Sequence, residues 1–164
     1  MTFQRQVARA LDDEHRTNLE LLNRVEQGFA RVARAGIVHD PELSALVAVL
    51  GRELEKEVAR HFAFEEREIF PRMDDAGDGD MAALLMEEHV AIGEVARDLV
   101  PLAQRAAAGT LDDAGWTSLR RLALELVERL GAHIHKETMA LLPLLEQMLS
   151  EDDDRELAFA YASA

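Results

Sequence analysis

The chain has 164 residues, 48% hydrophobic and 30% charged, which is enough for one domain with a full core and a wetted surface. It contains no cysteine, which excludes disulfides, thiolate catalysis and sulfur-bound metal sites, and leaves a cytoplasmic location as the expectation. A formal net charge of −14, from 18 basic and 32 acidic residues, repels phosphate backbones and argues against nucleic acid as a partner.

Apolar residues recur at three- and four-residue steps over long stretches, the period of helices. Pro and Gly number only four and nine. The first predicted helix runs from about Thr2 to Ala35 with Phe3, Val7, Leu11, Leu19, Leu22, Val25 and Phe29 inward, and Gly36 closes it. Asp40 and Pro41 open the second as N-cap and first helical residue. Leu43, Val47, Leu50, Leu54, Val58 and Ile69 form its stripe. The acidic, Gly-rich segment Asp74–Asp80 lacks the ligand order of an EF-hand and reads as a solvated turn.

The third helix spans about Met81 to Ala108, with Met81, Leu85, Ile92, Val95 and Leu99 inward and a bend expected at Pro101. Thr110–Asp113 has the form of a capping box for the fourth helix. That helix carries Trp116, Leu119, Leu122, Leu126, Leu130, Leu141, Leu144 and Met148. Ser150–Asp153 caps a short fifth helix, Asp154 to Tyr161. No run approaches the roughly 18 apolar residues of a membrane helix, and the polar start Met1–Arg5 is no signal peptide. Short connections make neighbouring helices antiparallel. The expected fold is all-α: an antiparallel up-down four-helix bundle over residues 1–149, with residues 150–164 an acidic C-terminal tail or short helix.

The informative residues interrupt the apolar stripes. His15, His61, His89 and His133, one per helix, stand where the pattern calls for core residues, and Glu65 and Glu137 follow two of them by one turn. A lone core histidine is commonly neutral and bonded to a carbonyl. Two ionised carboxylates in an apolar interior are different, because each costs several kcal/mol unless neutralised. No Lys or Arg shares their face, so a metal cation is the expected partner.

Height supports one shared site. His15 lies 20 residues from Ala35, His61 20 from Pro41, His89 19 from Ala108 and His133 21 from Asp112. At helical rise, all four sit roughly 30 Å from the same end. The chain also repeats: His61, Glu65 and Pro71 have the spacing of His133, Glu137 and Pro143. In each His-x-x-x-Glu the two side chains share a face one turn apart. Two helix-pair halves, each giving one His and one His-x-x-x-Glu, make a pseudo-twofold paired metal centre the simplest outcome. Imidazole and carboxylate ligands suit iron, manganese or zinc. Two ions bridged by the two carboxylates accommodate all six side chains better than one ion does, and leave positions for water, O₂, peroxide or NO.

The set His15, His61-x-x-x-Glu65, His89, His133-x-x-x-Glu137, with the strings His61–Glu66, Phe70-Pro71 and Glu88-His89, resembles the hemerythrin-like, or HHE cation-binding, domain over Leu11 to Pro143. The resemblance implies a non-haem di-iron centre, oxo- or hydroxo-bridged, with Fe ahead of Mn or Zn. Oxygen-carrying hemerythrins supply a fifth His from the third helix. Here the residues one turn from His89 are Leu85 and Gly93, which cannot ligate, so reversible O₂ carriage is disfavoured. The four-His, two-Glu set is similar to that of bacterial Repair of Iron Centres proteins, without their Cys-bearing segment. The implied functions are sensing, detoxification or iron handling, with catalase- or oxidase-like activity or iron-centre repair as the alternative. Oligomeric state is left open.

Near the site, Glu57 and Glu68 are candidates for an extra ligand or a proton relay, weighed against the commoner partly exposed acid that balances Arg or Lys. Asp12, one turn before His15, is placed to orient it. Gly93 makes room for a small ligand or for close helix packing. Tyr161, the only tyrosine, is assigned to packing of the tail rather than to the metal.

Overall fold

The computed structural model describes residues 3–163, so the start expected at Thr2 lies outside the described residues. Five helices account for the fold, and no strand occurs among these residues. α1 is Gln6–Ala35. α2 (residues 41–76) begins as Pro41–Lys56, continues through wider π-helical segments at Glu57–Phe62 and Glu65–Ile69, and ends as Phe70–Ala76. α3 is Gly79–Ala107 and runs through Pro101. α4 (residues 113–148) comprises Asp113–Lys136, a π-helical segment Glu137–Leu141 and Leu142–Met148. α5 is Glu151–Ala162, longer at both ends than expected. α1 to α4 pack in succession, α4 closes back onto α1, and α5 lies against α1, an arrangement consistent with an up-down four-helix bundle.

The chain ends its helices where local chemistry demands it. Gly36 and Gly77 adopt φ of 66° and 94°, the left-handed region in which glycine carries no Cβ penalty. Asp40 accepts from the backbone N–H of Glu42 and Leu43 at 2.8 and 3.2 Å. The cap expected at Thr110 is instead Asp112, which accepts from Gly115 N–H at 2.8 Å. Thr110 has turned away, its hydroxyl on the Arg105 carbonyl, because Gly109 at φ 68° closes the preceding helix first. Ser150 and Asp153 form the expected capping box. Leu19, placed inward by pattern, is 40% exposed, and Leu21 and Leu22 take the core face.

The interior divides into two apolar clusters. One holds Val25, Phe29, Val47, Leu50, Leu99, Trp116, Leu119 and Leu126. The other holds Phe3, Leu11, Phe64, Ile69, Leu85, Leu141 and Leu145. The buried histidines and glutamates belong to neither. The π-segments at Glu65–Ile69 and Glu137–Leu141 each lead directly into a segment whose second residue is proline, Pro71 or Pro143. Proline lacks the N–H that the carbonyl four residues earlier needs, and its ring crowds that carbonyl. A widened turn just before it relieves the conflict. The His-x-x-x-Glu…Pro repeat is therefore also a repeat in backbone form: each glutamate opens a π-turn.

Candidate metal centre

His15 from α1, His61 and Glu65 from α2, His89 from α3, and His133 and Glu137 from α4 are all buried and meet in one layer. Their potential ligand atoms fall into two groups, each with its atoms within 4.8 Å of one another: His15, His61, Glu65 and Glu137; and Glu65, His89, His133 and Glu137. The two glutamates belong to both.

Each carboxylate is shared oxygen by oxygen. Glu65 turns Oε1 to His61 Nε2 at 3.3 Å and Oε2 to His89 Nε2 at 3.4 Å. Glu137 turns Oε2 to His15 Nε2 and Oε1 to His133 Nε2, both at 3.0 Å. Among the described residues, no Lys or Arg pairs with either glutamate.

The opposite ring nitrogens face outward to fixed partners. Nδ1 of His61 lies 3.1 Å from Glu14 Oε2, that of His89 2.9 Å from Glu66 Oε1, and that of His133 2.9 Å from Glu88 Oε2. Nδ1 of His15 lies 3.3 Å from Thr138 Oγ1. A carboxylate can only accept, so Nδ1 of His61, His89 and His133 carries a proton, which leaves Nε2 as the nitrogen that can offer a lone pair to a cation. Nε2 of His89 and Nε2 of His133 stand 3.2 Å apart, a contact that needs a proton or a cation between the two nitrogens. Among the described residues, the buried side-chain atoms without a hydrogen-bond partner are Nε2 of His15 and His61 and all four oxygens of Glu65 and Glu137. Unpaired buried polar atoms are costly and uncommon; that every one of these belongs to the six-residue set is what a metal centre requires.

Electrostatics agree. Burial opposes ionisation of Glu137, but His133, His15 and His89 overcome it and hold its carboxyl well below the usual range. Burial likewise opposes protonation of His89, and Glu137 and Glu65 outweigh it, raising its pKa to about 9. Without metal, protons on the imidazoles balance the carboxylates; cations must displace them to bind.

The model of the hemerythrin HHE cation binding domain matches residues 6–145. The chain belongs to that family. Domains of the hemerythrin type bind metal cations, and the two fully buried His/Glu groups that share Glu65 and Glu137 are candidates to hold them. No curated protein matches the chain. The matched residues of this hemerythrin HHE chain stop before α5.

Of the neighbours singled out from the sequence, Asp12 is buried but pairs with Arg16, not with His15. Nε2 of His15 points inward to Glu137, which directs Nδ1 to Thr138 on α4, whereas Asp12 has a full positive charge one turn away on its own helix. Glu68 is paired with Arg72 at 3.3 Å and Arg67 at 3.7 Å and lies off the site. Glu57 is buried and accepts from Asn18 at 2.8 Å, and it stands 4.0 Å from the outward nitrogen of His61, in a third group with Glu14 and His61 that lies apart from the two sharing Glu65 and Glu137. Burial pushes its carboxyl up. A Cβ at Gly93 would meet nothing within 4 Å, so close packing does not explain that glycine.

Tyr161 packs, as expected, against Phe64 with centroids 4.6 Å apart, but it also joins the site. Its hydroxyl lies 3.1 Å from His61 Nδ1 and donates to Glu14. Arg60 lies over its ring and pairs with Glu14 at 2.5 Å. Burial works against the Glu14 carboxylate, but hydrogen bonds from His61, Tyr161 and Arg60 lower its pKa to about 2. Glu14, Glu66, Glu88 and Thr138 are not singled out by the periodicity of the sequence. A signal exists all the same: Glu14 and Glu88 each directly precede a site histidine, while Glu66 and Thr138 each directly follow a site glutamate.

Proposed function

We propose that this chain is a non-haem di-iron protein, an antiparallel up-and-down four-helix bundle that meets O₂, peroxide or NO in sensing, detoxification or iron handling. The observation that carries the reading is the oxygen-by-oxygen sharing of Glu65 and Glu137 between two imidazole pairs. One ion would sit between His15 and His61, the other between His89 and His133, with both glutamates bridging. When bound, such a pair supplies one-electron redox chemistry and open coordination to small oxygen or nitrogen ligands.

The protein's own part is to orient and to dry. Phe62 stacks on His89 with centroids 3.8 Å apart and planes 6° from parallel, which fixes the ring and closes the site on that side. Carboxylates on Nδ1 hold three imidazoles in the ligating tautomer. A groove of about 550 Å³ between α3 and α4 reaches Glu88, which hydrogen-bonds His133. Leu85, which is buried, and Gly93, which is partly buried, leave α3 with one ligand, which favours an open coordination position over reversible O₂ carriage.

Metal analysis of protein purified without chelator tests the reading: about two Fe per chain are expected, with a near-ultraviolet charge-transfer band in air that dithionite bleaches. Protein that is folded yet takes up no transition ion would sink it. Peroxide consumption by the loaded protein, lost in His61→Ala, would move the assignment to a catalase-like enzyme; spectral change on adding NO without turnover would keep it a sensor.

A further inference from the structure

The pseudo-twofold that pairs the ligands also pairs their outer partners. The residue before each lone histidine supports the His-x-x-x-Glu histidine of another helix: Glu14 faces His61, and Glu88 faces His133. The residue after each bridging glutamate supports a lone histidine: Glu66 faces His89, and Thr138 faces His15. Three of the four positions hold a carboxylate at 2.9–3.1 Å. The fourth holds a hydroxyl at 3.3 Å. Threonine breaks the symmetry at one place.

From this break, and resting on the dinuclear reading above, we infer that the two ion positions are unequal: the one between His89 and His133 fills first and keeps its ion, and the one between His15 and His61 is the exchangeable one. A carboxylate on Nδ1 stabilises the positive charge an imidazole acquires when its other nitrogen binds a cation. It also locks the tautomer. A hydroxyl does both weakly, because it is neutral and serves as donor or acceptor alike.

The charged groups around the two positions do not cancel the difference. Glu88 is balanced by Lys136 and Glu14 by Arg60. Glu57, on the His61 side, is bonded to Asn18 and stands 4.0 Å from His61 Nδ1, where it adds charge to that position but orients neither of its imidazoles by a hydrogen bond, and burial favours its neutral form. Tyr161 draws further on Glu14, donating to the same oxygen that faces His61. At hydrogen-bond distance from Nδ1 the weaker position thus has one shared carboxylate and one hydroxyl, the stronger position two carboxylates.

The test is a titration of metal-free protein with Co²⁺ against a competing chelator, following visible absorption and bound metal. Wild type should load in two steps separated by roughly 10- to 100-fold in affinity. Thr138→Glu should narrow the gap by strengthening the second step, and Glu66→Thr should narrow it by weakening the first. Thr138 and Glu66 are both partly exposed, and Thr138→Val offers a change that adds no bulk and should widen the gap. Two equal steps in wild type, or a gap unmoved by all three substitutions, overturns the inequality while leaving the dinuclear reading intact. Failure to bind any Co²⁺ overturns both.

Discussion

Glu137 makes the strongest case at the scale of single residues. It is fully buried, and both its oxygens face imidazoles from three helices. Glu137→Gln keeps the shape and removes the charge that the two proposed ion positions would share. Metal content should therefore fall from about two ions to below one, with helicity unchanged by circular dichroism; retention of both ions would contradict the bridging role. His89 carries the matching prediction for metal-free protein. Its pKa is raised to about 9 in the folded state, against an ordinary value near 6.5. The stability this contributes is fully present below the ordinary value and is lost as pH rises through about 9. The difference amounts to on the order of 3 kcal/mol. Urea melts of chelator-treated protein should show stability declining between those limits, and His89→Ala should flatten the decline.

Among the elements, α5 does more than finish the chain. The α1 N-terminus has no side-chain cap of its own at Arg5, and four N–H groups at any helix start need partners. Buried Asp154 of α5 accepts from the N–H of Gln6 and Val7 at 2.9 and 3.0 Å, and Glu146 of α4 accepts from Arg5 N–H at 2.6 Å. The carboxylate also meets the positive end of the helix dipole. Asp154→Ala should cost about 1–2 kcal/mol, the range of a lost cap, read as a lower denaturation midpoint. Amide exchange at Gln6 and Val7 should quicken. Because Tyr161 lies on the same helix and touches His61, looser docking of α5 should also disturb the spectrum of bound metal.

For the whole molecule, the two apolar clusters and the polar layer between them stand in a definite energetic relation. Each cluster is stabilised by burial alone, whereas the layer holds two carboxylates whose oxygens have no hydrogen-bond partner. Bound cations stabilise only the folded state, by mass action, so chelation should lower the thermal midpoint by several degrees or more. Restoring the metal should recover it. Equal midpoints with and without metal would show that the layer needs no cation.

The six-residue set is legible in the chain itself, because helical periodicity ties a residue's number to its face and height. His15, His61, His89 and His133 break apolar stripes at matching heights, and that is a one-dimensional property. So are Gly36, Asp40 and the Ser150 box, since caps act within a few residues. What spacing along the chain does not decide is anything set between helices. Asp12 has the spacing of a partner for His15, one turn away, but the ring nitrogen turns across to Thr138 on α4. Leu19 fits a stripe, yet the helices around it leave it outside. Tyr161 comes 100 residues after His61 and still touches it. Side-chain direction across a packed interface depends on how helices sit against one another, and only tertiary structure carries that information.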